Sequence, residues 1–165
     1  ITTNNPNLYK KLRKLRNLGS EEKFIHEYVG FNSRLDTIQA IILNEKINNL
    51  ESNNRKRKTI AKFYNEKIKN PKITRINYSK SCVFHQYIIL VNDRKKLIKS
   101  LKQKKIQFGF HYPYAIHQLK VFKNNYKRKL FKNAERLAKQ SVSLPIDPNL
   151  STKDLKIIVN TLNQF

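Results

Sequence analysis

The stretch GFNSRLDTIQA, residues 30–40, decides how this sequence is interpreted. Its aliphatic residues continue at helical spacing as Leu35, Ile38, Ile41 and Ile42. This spacing predicts an amphipathic helix, with Asn32 and Arg34 two residues apart at its entrance. Asn32 or Ser33 could cap the helix and leave Arg34 in solvent. Alternatively, an amide and a guanidinium beside free helix N–H groups suit an anion such as phosphate, so both interpretations stay open.

The composition is that of a folded domain. The 165 residues are 39% hydrophobic and 28% charged, which is enough for one core and argues against disorder. No apolar run approaches the ~20 residues that span a bilayer. The single Cys82 cannot form an internal disulfide, which fits a cytoplasmic location. Because the sequence begins at Ile1 and contains no methionine, we expect it to be a piece of a longer protein.

The charge is strongly positive, with 35 Lys and Arg against 11 Asp and Glu and a formal net charge of +24. Such a surface attracts polyanions, and nucleic acid is the obvious candidate. However, Lys outnumbers Arg, which is preferred for gripping phosphates and bases. Scarce Gly and Trp beside plentiful Lys, Asn and Ile also fit an A/T-rich coding sequence. Nucleic-acid binding is therefore a secondary interpretation, which predicts steep salt dependence.

The first half predicts helices. Asn5 is placed to cap a helix that starts at Pro6 and closes at Gly19. Residues 20–33 have no sustained period and predict a loop. Residues 34–69 predict one long bent helix or two consecutive helices.

The second half alternates strands with helices. Strands are predicted at 73–76, 83–91 and 106–110. Helices are predicted at 94–105 behind Asp93, around 127–140, and after a capping box of Ser151 and Asp154. The segment between the last two helices, 141–150, is predicted to be an extended crossing. Together these elements predict a small α/β layer preceded by helices.

The motif HYPYAIH, residues 111–117, is the best candidate site in the second half. A proline here fixes the chain where the predicted strand ends, and ligands usually bind at strand ends in α/β sheets. The spacing of His111 and His117 matches no strong metal pattern, so no metal site is expected. His85 is interpreted as a packed strand residue. No nucleophile or phosphate-loop motif is present, so any reacting group is expected elsewhere.

Taken in order, these segments resemble the DegT/StrS-type sugar-nucleotide aminotransferases. The resemblance covers essentially the whole chain. Its segments are ITTNNPNLYKKLRKLRNLG, GFNSRLDTIQAIIL, RKTIAKFY, HQYIIL, HYPYAIH and SLPIDPNLS. The patterns N-x-R-L-D-x-x-Q-A and H-Y-P-x-x-x-H are specific when they occur together.

The resemblance implies a pyridoxal-phosphate (PLP) enzyme of the aspartate-aminotransferase fold. Such enzymes are homodimers that move an amino group, usually from glutamate, to a nucleotide-linked keto-deoxysugar. By matching motif positions, Asn32 would bind the PLP phosphate across the dimer. Arg34 would contact the anionic part of the sugar nucleotide, and His111, Tyr112 and His117 would be further substrate-binding residues.

The resemblance also implies that this is the C-terminal part of such an enzyme. The cofactor lysine would lie upstream of Ile1, so the chain alone is expected to be inactive. Residues 1–33 would end the large cofactor domain, 34–70 would form the connecting helix or helix pair, and 71–165 would form the small α/β domain. The alternatives are a catalytically dead remnant or interaction domain, and a basic nucleic-acid binder.

Overall fold

The first helix, α1, begins at the proline that the sequence predicts for it and runs over Pro6–Arg16. Asn5 caps it, because its side-chain oxygen accepts the N–H groups of Asn7 and Leu8 at 3.0 and 3.1 Å. The computed structural model describes residues 1–122, 126 and 131–165, which form two units, Ile1–Asn49 and Leu50–Phe165. The helix stops short of Gly19, since Leu18 and Gly19 have positive φ values of 60° and 79°.

The region predicted as one bent helix or two is two helices, α2 over Thr37–Ile47 and α3 over Leu50–Lys67. Asp36 occupies the N-cap position of α2 and makes no side-chain capping bond. The proposed capping by Asn32 or Ser33 is therefore wrong. An anion site made by Asn32, Arg34 and the helix start together is not supported either, because α2 begins five residues after Asn32.

The second unit contains a three-stranded antiparallel sheet in the order β1–β2–β3. The strands are β1 over Ile73–Arg75, β2 over Tyr87–Val91 and β3 over Ser141–Leu144. Ile73 pairs with Val91, and Tyr87 pairs with Leu144. β2 is shorter than the predicted 83–91, because Phe84 has a φ of 54°, which interrupts an extended strand. His85 is therefore not a strand residue.

The predicted strand at 106–110 does not form. Ile106 donates its N–H to Leu101 at the end of a helix, so the segment starts as a helix terminus. Only Gly109 pairs, in an isolated antiparallel bridge with Ser143. Phe108 and Phe110 still pack against the core, which explains their alternation in the sequence.

Three helices complete the second unit: α4 over Arg94–Gln103, α5 over Lys132–Gln140 and α6 over Thr152–Asn163. Asp93 caps α4 by accepting the N–H of Lys96, and Ser151 and Asp154 form the predicted capping box of α6. Residues 127–130 of the predicted 127–140 helix lie outside the described residues. Two short 3₁₀ turns, Ile116–Gln118 and Lys120–Phe122, follow the HYP motif.

The hydrophobic core lies in the second unit, between the sheet and α3, α4 and α6. The predicted apolar face of α6 is buried through Leu155, Ile158, Val159 and Leu162. Tyr64 of α3 is fully buried, and its hydroxyl donates to the Pro145 carbonyl at 2.8 Å. Tyr87 is 1% exposed, and its hydroxyl donates to Asn65 Oδ1 at 2.6 Å. These bonds satisfy polar groups inside an apolar cluster.

The first unit has no comparable core, because α1 and α2 contain no buried residue. Most of its large apolar side chains are instead exposed, among them Phe24, Val29, Phe31, Leu35, Ile38, Ile41, Ile42, Leu43 and Ile47. Large exposed apolar patches of this kind are typical of surfaces that bind a protein, a membrane or a ligand. Separately, none of the helices within the described ranges has the length and apolar character needed to cross a membrane.

The buried phenol of Tyr87 predicts a loss of stability at high pH. Burial raises its pKa to about 12, although the charge of Arg75 opposes this. An unfolded tyrosine titrates at about 10, so between about pH 10 and pH 12 the unfolded chain ionises first and stability falls. Urea denaturation across this range should show a smaller fall in the free energy of unfolding for Tyr87→Phe than for the native protein.

Tyr114→Phe is the matched control, since this phenol is 64% exposed. Its stability curve should parallel that of the native protein. If Tyr87→Phe also ran parallel to the native curve, burial of the Tyr87 phenol would not limit stability at high pH.

Candidate functional site

Asn32 is held in place by the end of α1. Three backbone hydrogen bonds of 2.7 to 3.0 Å join residues 31–33 to residues 15–18. Asn32 itself pairs with Asn17 in an isolated antiparallel bridge. Residues 31–33, here called the strap, are therefore fixed against the end of α1. The local sequence pattern does not reveal this long-range contact.

Two glycines make this strap possible. A Cβ on Gly19 would lie 1.8 Å from the Tyr28 carbonyl oxygen, and a Cβ on Gly30 would lie 2.0 Å from the Gly19 nitrogen. Gly19 also has a φ of 79°, which glycine adopts without strain. This close approach of Gly19 and Gly30, here called the neck, brings the two ends of loop 20–29 together.

Lys14 holds loop 20–29 onto α1. Its Nζ lies 2.7 Å from Glu27 Oε1 and 3.0 Å from Glu21 Oε2, and its side chain is 19% exposed. The hydrogen bonds that its ammonium donates to Glu27 and then to Glu21 raise the pKa of Lys14 above its usual value. The ammonium therefore stays charged and continues to bind the loop throughout the physiological range.

The side chains of Asn32 and Arg34 form a small group of donors. Both residues are exposed, and Arg34 Nε lies 3.4 Å from Asn32 Oδ1. Within the described ranges, neither the Asn32 amide nitrogen nor the terminal guanidinium nitrogens of Arg34 have a hydrogen-bond partner. An amide N–H and a guanidinium fork are donors that suit phosphate oxygens. This donor set fits an anionic ligand.

His111 lines an open cleft in the second unit. The cleft has a volume of about 330 Å³ and is lined by residues 85–86, 107–109, 111 and 143–147. His111 Nδ1 lies 2.8 Å from Ser143 Oγ. Tyr112 is 71% exposed, and its ring is perpendicular to that of His111 with the ring centres 5.6 Å apart. The sequence did not single out Ser143, and it assigned His85, which lines this cleft, to a strand interior.

His117 does not line this cleft. Its Nε2 lies 2.9 Å from Glu135 Oε1, its side chain is 13% exposed, and its ring centre is 4.8 Å from that of Phe131. The HYPYAIH motif therefore places its two histidines differently, with His111 at the cleft and His117 packed against α5. Asn32 and Arg34 belong to the first unit, and His111, Tyr112 and His117 to the second.

Metal ligands are not grouped in the part of the chain that the structure describes. There, no three side chains among His, Cys, Asp and Glu come close enough to hold a metal ion. Cys82 is a partly exposed free thiol. The candidate groups are instead the Asn32 and Arg34 donors in the first unit and, separately, the His111 imidazole in the second, and both kinds of group bind polar or anionic organic ligands.

Comparison with known proteins gives extended matches. The model of the DegT/DnrJ/EryC1/StrS aminotransferase family matches residues 1–163. A dTDP-3-amino-3,6-dideoxy-alpha-D-galactopyranose transaminase from Aneurinibacillus thermoaerophilus is 35% identical over 167 residues, covering 100% of this chain and 46% of that protein. The chain thus spans about half the length of the curated relatives that it matches.

Solved structures match the fold over nearly the whole chain. DesV from S. venezuelae superposes with a TM-score of 0.89 at 29% identity, covering 99% of this chain and 45% of DesV. NtdA from Bacillus subtilis, solved with bound cofactor PMP, gives a TM-score of 0.88 at 24% identity, covering 99% of this chain and 40% of NtdA, and at this identity it supports the fold alone. These likenesses confirm the predicted fold class, a part of an α/β aminotransferase.

Proposed function

Because the chain belongs to the DegT/DnrJ/EryC1/StrS aminotransferase family, we propose that it forms the C-terminal part of a sugar-nucleotide aminotransferase. The complete enzyme would transfer an amino group from glutamate to a nucleotide-linked keto-deoxysugar. The family match over residues 1–163 carries this proposal. The presence of both specific motifs, with Asn32 and Arg34 in one and His111 in the other, supports it.

Pyridoxal phosphate would supply the electron sink and carry the amino group between the two substrates. The residues of this chain would bind and orient the cofactor and the sugar nucleotide. Asn32 would donate its amide N–H to the cofactor phosphate of the neighbouring subunit. Its exposed amide nitrogen has no hydrogen-bond partner among the described residues, and its backbone is fixed against the end of α1. Both features suit that role, because a preorganised donor loses little entropy on binding.

Arg34 would bind the anionic part of the sugar nucleotide through its guanidinium fork. His111 would use its imidazole at the cleft to hydrogen-bond the substrate, beside the exposed phenol of Tyr112. A substrate role for His117 stays a prediction. Its Nε2 is engaged by Glu135 at 2.9 Å, so substrate binding there would require this bond to be exchanged.

The exposed apolar surface of the first unit supports a homodimer. Many of its aliphatic and aromatic side chains are exposed by half or more, for example Ile38 at 74% and Phe31 at 69%. Burying such groups contributes about 25 cal/mol for each Å² removed from water. We propose that the second subunit and the remainder of the enzyme cover this surface.

The direct test uses the complete enzyme that contains these residues. With PLP, glutamate and a panel of nucleotide-linked keto-sugars, we expect an aminated sugar nucleotide and 2-oxoglutarate, detected by mass spectrometry. Residues 1–165 alone should give neither product. A folded complete protein that aminates no member of the panel would favour the remnant or interaction reading. A steep salt dependence of DNA binding would favour the nucleic-acid reading.

Asn32→Ala should weaken retention of PLP by the complete enzyme. A hydrogen bond to a charged group is worth about 1.5–3 kcal/mol, so we expect a loss of affinity of about tenfold or more. Titration of the apoenzyme with PLP, followed by absorbance, measures this. Asn7→Ala is the matched control, since Asn7 is an exposed amide on α1. Unchanged affinity in Asn32→Ala would exclude the assignment.

Arg34→Ala should raise the KM for the sugar nucleotide more than the KM for glutamate. Because a charge-assisted, two-pronged hydrogen bond is lost, we expect the KM for the sugar nucleotide to rise about tenfold or more. Arg34→Lys, which keeps the charge but not the fork, should give an intermediate value. Steady-state kinetics with each substrate varied in turn measures the effect. An equal rise for both substrates would show that Arg34 is structural.

A further inference from the structure

We propose that Ser143 is a positioning residue for His111, whose imidazole it holds at the cleft so that Nε2 is presented to the substrate. The nature of that substrate, a nucleotide-linked sugar, rests on the proposed function. The coupling of Ser143 to His111 is argued from the geometry of the second unit. It can be measured whether or not the proposed function is correct.

The backbone that carries the Ser143 hydroxyl is held in place by neighbouring strands and segments. Its backbone exchanges two hydrogen bonds with Gly109, from Gly109 N to Ser143 O at 3.1 Å and from Ser143 N to Gly109 O at 2.9 Å. On the other edge of β3, Ser143 is in register with Ile88 of β2. The residue is 6% exposed. A hydroxyl held in this way has few alternative positions, so its bond to His111 fixes the ring as well.

The imidazole of His111 is located by two contacts. Nδ1 lies 2.8 Å from Ser143 Oγ, and the ring lies over Gly109, where a Cβ would be 2.8 Å from Cε1. The absence of a side chain at 109 is what leaves room for the ring. Nε2 has no hydrogen-bond partner in the described part of the chain. Whichever group donates in the Ser143–His111 bond, that bond selects one ring tautomer and so the chemistry of Nε2.

Ser141 shows that a buried serine on β3 does not require such a bond. It lies two residues before Ser143, on the same face of the strand, and is 3% exposed. Its Oγ is buried and has no partner among the described residues. The bond of Ser143 to His111 is thus a specific contact, and Ser141→Ala is a matched control.

The first experiment measures the ring directly. In the chain labelled with ¹⁵N, long-range ¹H–¹⁵N spectra should show the His111 imidazole as one dominant tautomer. Ser143→Ala should convert it to an averaged mixture, whereas Ser141→Ala and Ser143→Thr should leave it unchanged. His85 and Asp147 share the cleft, so spectra are compared at one pH at which all variants are folded.

Gly109→Ala gives an independent perturbation if Ser143→Ala folds poorly. The added methyl group would displace the ring from Ser143 while leaving the hydroxyl present. We expect the same averaged signal as for Ser143→Ala. An unchanged ring signal in the folded variant, or an equal change in Ser141→Ala, would overturn the proposal.

The second experiment tests the consequence in the complete enzyme. Ser143→Ala should raise the KM for the nucleotide-linked sugar by about three- to tenfold, the worth of one hydrogen bond. The KM for glutamate should change less, Ser143→Thr should restore the native value, and Ser141→Ala should match it. Equal effects on both substrates would overturn the positioning role. If the His111 tautomer depends on Ser143 but the complete enzyme has no transaminase activity, the proposed function is overturned and the positioning role of Ser143 stands.

Discussion

The second unit depends on β3, a strand whose four residues are all buried. A buried strand must find partners for its backbone groups on both edges. β2 supplies them on one edge, and Gly109 supplies them for Ser143 on the other. Immediately after the strand, the Pro145 carbonyl accepts the Tyr64 hydroxyl and joins β3 to α3. The same demand for backbone partners brings the chain at Gly109 beside Ser143, and with it His111. The packing of a core strand thus determines where the cleft forms.

The first unit presents the opposite situation. It has strong local signals, such as the Asn5 cap and the aliphatic spacing of α2, but its apolar side chains are exposed. An isolated helix of 11 residues is marginal in water, because nucleation is costly and the helix needs tertiary packing. Its strongest internal ties are polar and backbone contacts, namely the strap at 31–33 and the ion pairs of Lys14. The segment that most clearly indicates the family is therefore the one that most needs a covering surface.

The sequence predicted what local chemistry controls. Asn5, Asp93 and Ser151 cap their helices as expected, since a cap involves residues two or three positions apart. Backbone strain escaped prediction, because the residue type of Phe84 gives no hint of its positive φ. The motif residues Asn32 and His111 were identified through the family resemblance. Their supports, the end of α1 and Ser143, come from distant parts of the chain, and the partnership of His117 with Glu135 is equally non-local.

The neck at Gly19 and Gly30 makes loop 20–29 separable from the donors that follow it. Since the two ends of the loop already meet, the entropy of closing a longer loop grows only with the logarithm of its length. Insertions or substitutions between the glycines would therefore leave Asn32 and Arg34 in place. Natural selection can alter this loop, which exposes Phe24 at 82% and Val29 at 98%, as a separate module. Changes in what the loop contacts are thereby uncoupled from the positions of Asn32 and Arg34.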